Sequence, residues 1–169
     1  MRPQRAWIGL GANLGQPLQQ LQSALRALAL LPGTEVQAMA PLYGSAPVGP
    51  ADQPDYLNST VRISTLLTPH ALLRELQVIE NAHDRVRERH WGPRTLDLDL
   101  LLFAGDIINT PELRVPHPEL VHRAFVAFPM LDIDPDLILP DGRPLAALRA
   151  VLAGQDIRLL AASGWWQGS

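Results

Sequence analysis

This sequence predicts an α+β sandwich of the ferredoxin-like kind, a mostly antiparallel sheet with helices packed on its faces. Three observations carry that expectation. Segments of strand and helix periodicity follow one another in the order β-α-β-β-α-β, with a further helical region behind them. Proline- and glycine-rich breakers separate the segments. The chain has 169 residues and a mass of 18.6 kDa, the size of a single domain spanning residues 1–169 with a substantial core.

Taken in order, Ala6 to Leu10 (AWIGL) reads as a short buried strand. The loop GANLGQ leads to a helix over Pro17 to Leu31, with Leu18, Leu21, Leu25 and Leu28 at helical spacing. Pro17 suits the first helical position, and Pro32-Gly33 stops the helix. Thr34 to Tyr43 is a strand, broken or bulged near Pro41. The stretch GSAPVGPADQPDY holds too many breakers for regular structure, and its length suits a binding loop. Tyr56 to Leu66 is the next strand. Thr68-Pro69 caps a second helix reaching about Ala82, with Leu72, Leu73, Leu76 and Ile79 inward. An arginine-rich loop then enters the strand RTLDLDLLLF, Arg94 to Phe103. A hairpin is predicted to turn at Ala104-Gly105-Asp106, and LRVPHPEL interrupts the chain before a helix holding Leu120, Val121, Ala124, Phe125 and Phe128. LILPDGRPLAALRAVL gives a turn and one short helix. The tail with Trp165 and Trp166 carries no clear pattern.

Composition excludes several chemistries. With no cysteine there is no disulfide framework, thiol nucleophile or cysteine-based zinc site. All 14 basic residues are arginine, so a Walker-A lysine, a Schiff base and a lysine general base are absent. The formal charge of −3 argues against a general nucleic-acid binder. No apolar run of about 18 residues is present and the first residues lack a signal-like apolar region, so a soluble, cytoplasmic protein without membrane contact is expected. No strand or helix carries a surplus apolar face, and a monomer is expected.

The strand RTLDLDLLLF raises the sharpest question. Alternation places Thr95, Asp97, Asp99, Leu101 and Phe103 on one face and Leu96, Leu98, Leu100 and Leu102 on the other. Carboxylates two residues apart, about 6–7 Å at Cα, repel by roughly 2–3 kcal/mol at an effective dielectric of 20. A divalent cation turns that repulsion into attraction, and oxygen ligands suit Mg²⁺ or Mn²⁺. The alternative is a solvated strand edge. Just upstream, RVRERHWGPR (Arg85 to Arg94) holds four of the 14 arginines, either a solvated charged loop or equipment for a polyphosphate.

Other motifs are weaker. GLGANLG, Gly9 to Gly15, follows a strand and opens a helix, but its G-x-G-x-x-x-G spacing is one residue too long for a dinucleotide fingerprint. A tight turn near a ligand fits better than a nicotinamide site. His117 stands between two prolines on a stiff backbone, followed by Arg123 and Phe125. Tyr56 and Asn58 share a strand face and offer a ring and an amide, although Tyr56 and Phe125 also read as core aromatics.

Together, IGLGANLG, GPADQPDYLN, RVRERHWGPRTLDLDLLLF and VPHPELVHRAFVAFPM resemble the 6-hydroxymethyl-7,8-dihydropterin pyrophosphokinases of folate biosynthesis, in the family's order from about residue 7 to 140. The resemblance implies transfer of pyrophosphate from ATP to the pterin's primary hydroxyl, with release of AMP. It implies that Asp97 and Asp99 bind two Mg²⁺ ions. Asp97, Asp99, Arg85 and Arg94 would be catalytic, the hydroxyl proton passing to Asp97 or to water. Tyr56 and Phe125 would sandwich the pterin, Asn58 would bond its edge, and Ser45, Ala46, Val48 and Trp91 would complete that pocket. Glu80, Arg85, Arg87, Trp91, Arg94, His117 and Arg123 would contact ATP. Two departures stand out. The arginine loop is one residue shorter than in familiar bacterial members, with Glu88 where a basic residue is expected, and Glu112 likewise replaces a basic residue. Both bear on ATP affinity more than on chemistry. A non-enzymatic ligand-binding module on the same fold, or a nicotinamide oxidoreductase, would be the rival readings.

Overall fold

The computed structural model describes residues 2–13, 15–45, 55–84, 96–162 and 164–167. Its first half follows the expected order: β1 (Gln4–Ala12), α1 (Pro17–Ala29), β2 (Thr34–Met39), β3 (Leu42–Ser45), β4 (Tyr56–Thr65), α2 (Pro69–Asp84) and β5 (Asp97–Phe103). Then come β6 (Ile108–Asn109), β7 (Arg114–Val115), α3 (Ala124–Ile133), a 3-10 turn at Leu145–Ala147, α4 (Leu148–Val151) and β8 (Arg158–Ala161). The main sheet runs β5-β1-β4-β3-β8, every pair antiparallel, and β2 also pairs with β4. This is the expected ferredoxin-like α+β sandwich.

The predicted break at Pro41 is present. Proline cannot donate to a ladder, so the strand divides: β2 pairs with the Val61–Thr65 half of β4, and β3 with the Tyr56–Asn58 half. The Ser59 hydroxyl, 3.1 Å from the Ala40 carbonyl oxygen and 3.0 Å from that of Pro41, bridges the gap. The Thr68 hydroxyl accepts the Ala71 N–H at 3.2 Å, the cap expected for α2.

One face of the sheet is covered by α1 and α2. Ala6, Ile8 and Leu10 of β1 and Val61 and Ile63 of β4 meet Leu21, Leu25 and Leu28 of α1 and Leu72, Leu76 and Ile79 of α2. On the other face a second core lies under α3, where Trp7, Leu101 and Leu102 meet Ala127, Met130, Leu131, Leu145 and Leu148. The Trp7 indole donates to Asp134 at 2.8 Å, and Arg62 donates to the same carboxylate at 2.6 Å. These bonds tie the end of α3 to the sheet. Among the described residues no helix is long and apolar enough to cross a membrane.

Three expectations are corrected. Strict alternation fails at the end of β5, where Trp7 faces Leu102 while Ile8 faces Leu100, leaving Leu101 as the extra residue of a bulge. Leu102 therefore joins the core under α3 and Phe103 the core under α1 and α2, the reverse of the simple pattern. The chain turns at Ala104–Asp106 as predicted, but no strand returns along β5. That edge is already committed, since the Leu98 N–H donates to Glu80 and the Leu101 carbonyl accepts the His117 N–H at 2.9 Å. Strands β6 and β7 pair with each other in a separate ribbon. α3 begins only at Ala124, with Leu120 and Val121 in turns. The tail, for which the sequence carries no clear pattern, packs: β8 extends the sheet beside β3, and buried Trp165 donates to the Ala40 carbonyl at 2.8 Å.

Candidate active site

The two aspartates of β5 stand beside two glycines of β1. Asp97 pairs with Gly11 and Asp99 with Gly9, while on the far side of β1 Gly11 pairs with Asn58 and Gly9 with Thr60. Cross-strand partners share a face, so Asp97, Gly11, Asn58 and then Tyr43 form one row across four strands. The sequence suggested a tight turn at these glycines, but both lie inside the strand. A Cβ at Gly11 would come within 3.3 Å of the Asn58 Oδ1. Their lack of side chains leaves a floor between the carboxylates and the amide.

Above that floor is a cavity of about 160 Å³, lined by Gly9, Gly11, Ser45, Tyr56, Asn58, Asp97, Asp99, Arg123 and Phe125 among others. Seven residues singled out from sequence therefore meet in one place. Asn58 is buried and donates its Nδ2 to Ser45 Oγ at 2.7 Å, which orients the amide. The Tyr56 phenol is raised above its ordinary pKa, first by burial and then by the charge of Asp97. Phe125 lies in the first turn of α3, and the Arg123 guanidinium sits 5.6 Å from its ring centroid with Nε 3.4 Å from Glu119. At the far end of this row, the Tyr43 hydroxyl donates to Asp132 of α3; burial and then that bond push the phenol well above its usual range.

Two predicted residues stand outside this cavity. Glu80, buried at the end of α2, accepts the Leu98 N–H at 2.8 Å and so holds the strand between the two aspartates. His117 accepts the Glu119 N–H on Nδ1 at 3.1 Å, which puts its ring proton on Nε2, 3.9 Å from Asp99 Oδ1. It lines a second hollow of about 400 Å³ that shares Asp99 with the first and carries Glu112 and Arg114. Sequence reasoning missed Arg114, which gives no signal beyond its three-residue distance from His117. Ala46, Val48, Arg85, Arg87, Trp91 and Arg94 lie outside the described residues.

Two carboxylates on one strand face, open to a cavity, form an oxygen donor set that fits Mg²⁺, which takes one or two carboxylates plus substrate phosphates. Among the described residues no cluster of three or more His, Asp or Glu offers a closed protein cage. The donor chemistry suits a cation completed by its substrate.

Residues 7–135 match the family model of 7,8-dihydro-6-hydroxymethylpterin-pyrophosphokinase (HPPK). The chain belongs to the HPPK family. It is 48% identical over 157 residues to the 2-amino-4-hydroxy-6-hydroxymethyldihydropteridine pyrophosphokinase of Pseudomonas aeruginosa, covering 93% of this chain and 97% of that one. The Haemophilus influenzae enzyme of the same name is 46% identical, with 85% and 89% covered. Among solved structures, the wild-type Plasmodium falciparum HPPK-DHPS with SDX-DHP superposes with a TM-score of 0.72 at 14% identity, over 89% of this chain. The HPPK chain described here spans 44% of that longer protein, and the likeness bears on the fold. As an HPPK, the chain is a transferase of folate biosynthesis that moves pyrophosphate onto the hydroxymethyl group of 6-hydroxymethyl-7,8-dihydropterin.

Proposed function

We propose that the first cavity holds the pterin, the second hollow holds ATP, and reaction occurs at Asp99 between them. The observation that carries this is that the two hollows share Asp99. Tyr56 and Phe125 enclose the pterin ring, and the Asn58 amide, oriented by Ser45, bonds its edge. Asp97 and Asp99 hold two Mg²⁺ ions, which supply charge neutralisation and lower the pKa of the attacking hydroxyl. The hydroxyl oxygen bonds to the β-phosphorus as that phosphorus loses its bridge oxygen to AMP, and the proton passes to Asp97 or to water. Arg123 and His117 face the phosphates from their two cavities, with the His117 Nε2–H as donor. Glu80 contributes by fixing the carboxylate strand, whether or not it also reaches the nucleotide. Arg85, Arg87, Trp91 and Arg94 contact ATP, Arg85 and Arg94 acting on the transferred group, and Ala46, Val48 and Trp91 complete the pterin pocket.

Such an arrangement works by alignment, neutralisation and exclusion of water more than by covalent help. The whole chain acts as one domain and as a cytoplasmic monomer. The deciding assay is AMP release from ATP and 6-hydroxymethyl-7,8-dihydropterin with and without Mg²⁺. AMP that requires both pterin and metal supports the reading. Pterin binding without AMP formation turns it into the ligand-binding module.

A further inference from the structure

We infer that Gln155 and Arg158 are positioning residues that fix the two aromatic walls of the pterin cavity, Gln155 on the Phe125 side and Arg158 on the Tyr56 side. The inference rests on the assignment of the first cavity to the pterin. Both residues lie beyond residue 135, where the match to the family model ends. Neither lines the cavity, so each acts through the residues it holds.

Gln155 brackets Arg123, where α3 begins without a cap of its own. Arg123 stands at the N-cap position in extended backbone, φ −129° and ψ 121°, and its side chain makes no capping bond. The first N–H groups of a helix have no partner within it, and arginine is not a residue that caps them. The Gln155 side-chain amide supplies the cap from 31 residues away. Its Oε1 accepts the Ala124 N–H at 2.8 Å, and its Nε2 donates to the His122 carbonyl at 2.7 Å. The two bonds close on either side of Arg123. They fix the backbone from which the Arg123 guanidinium and, two residues on, the Phe125 ring reach the cavity. Ala124 is buried, so its N–H finds little water once the amide is gone.

Arg158 holds the other wall. It lies on β8, paired with Gly44 of β3, and its Nη2 donates to Asp55, the residue before Tyr56. On the other side of β3, Gly44 and Ser45 pair with Leu57 and Tyr56. The ion pair therefore reaches across one strand to the base of the Tyr56 wall. Gln155 and Arg158 are three residues apart, at most about 11 Å between Cα atoms, so one short strap holds both walls. The strap is itself anchored. The carbonyl of buried Leu152 accepts the Gln155 N–H at 3.1 Å, and Ile157 packs on the core under α3. The Arg158–Asp55 pair is half-exposed, so its effect is the smaller of the two.

The test is steady-state kinetics and thermal melting of Gln155→Ala, Gln155→Glu and Arg158→Gln beside the native chain, with Phe125→Ala as the control. Gln155→Ala should raise the KM for the pterin about fivefold and lower the melting temperature by about 2–4 °C. Its KM for ATP should stay as it is, because neither held wall lines the second hollow. Gln155→Glu keeps an oxygen for the Ala124 N–H, and a carboxylate suits a helix N-terminus, so its melting temperature should stay native. It cannot donate to His122, and its KM for the pterin should remain raised, a split that a merely structural cap does not produce. Arg158→Gln should raise the same KM about twofold, and Arg158→Asp combined with Asp55→Arg should restore it. A native pterin KM in either Gln155 variant, with Phe125→Ala raising it, overturns the inference alone, as does a rise in both KM values together. A pterin KM that Phe125→Ala leaves unchanged overturns the pocket assignment and the inference with it.

Discussion

The two ends of β5 are built from neighbouring residues and do opposite things. At its start Asp97 and Asp99 face a cavity over a glycine floor, and the Asp99 side chain is 51% exposed. At its end Leu101, Leu102 and Phe103 are all buried, in two different cores. A single bulge separates the halves, and it sends Leu102 and Phe103 to opposite sides of the sheet. Trp7 fills the same face of β1 that Gly9 and Gly11 leave empty two and four residues later. One continuous ladder thus anchors the site at its apolar end and opens it at its polar end. Regular structure, in place of a loop, holds the two carboxylates.

That contrast can be broken from either side. The largest effect is expected from Asp97→Asn or Asp99→Asn, which should lower kcat by roughly a thousandfold when metal and charge stabilisation are lost. The melting temperature of these variants should move less than that of Leu102→Ala, as calorimetry can check. Leu102→Ala is the complementary experiment. Deleting a side chain that is 1% exposed should cost about 2–5 kcal/mol in urea unfolding, while the molecules that remain folded stay active.

Gly11→Ala sharpens the comparison, because it places a Cβ 3.3 Å from the Asn58 amide oxygen. The KM for the pterin should rise about fivefold, on the order of 1 kcal/mol for one disturbed hydrogen bond, with stability little altered. The smallest effect is in alkali. The fold raises the phenols of Tyr43 and Tyr56 above their ordinary 10.0, so it favours their neutral forms. Their contribution to stability is complete below that pH and is lost as pH rises past it. Melting temperature should decline above about pH 10, and Tyr43→Phe should flatten the decline.

Much of this was legible in the sequence because strand and helix periods are local. β4, α1, α2 and the break at Pro41 follow from spacing and from what proline cannot do. The aspartate pair was legible for the same reason: period 2 fixes the shared face of Asp97 and Asp99 without reference to any other strand. What escaped depends on partners distant in sequence. The bulge at Leu101 exists only in the pairing with β1, and β8 became a strand only because β3 offered it an edge. The role of Gly9 and Gly11 as a floor required knowing that Asp97 and Asn58 flank them. Arg114 lies on a two-residue strand, too short for any periodicity to register.

The most direct measurement is anomalous diffraction from crystals grown with Mn²⁺, a non-hydrolysable ATP analogue and the pterin. Manganese should occupy positions coordinated by the Asp97 and Asp99 carboxylates, between the two hollows. Nucleotide and pterin bound with manganese elsewhere, or with none at the aspartates, would contradict the assignment of this strand as the metal-bearing centre.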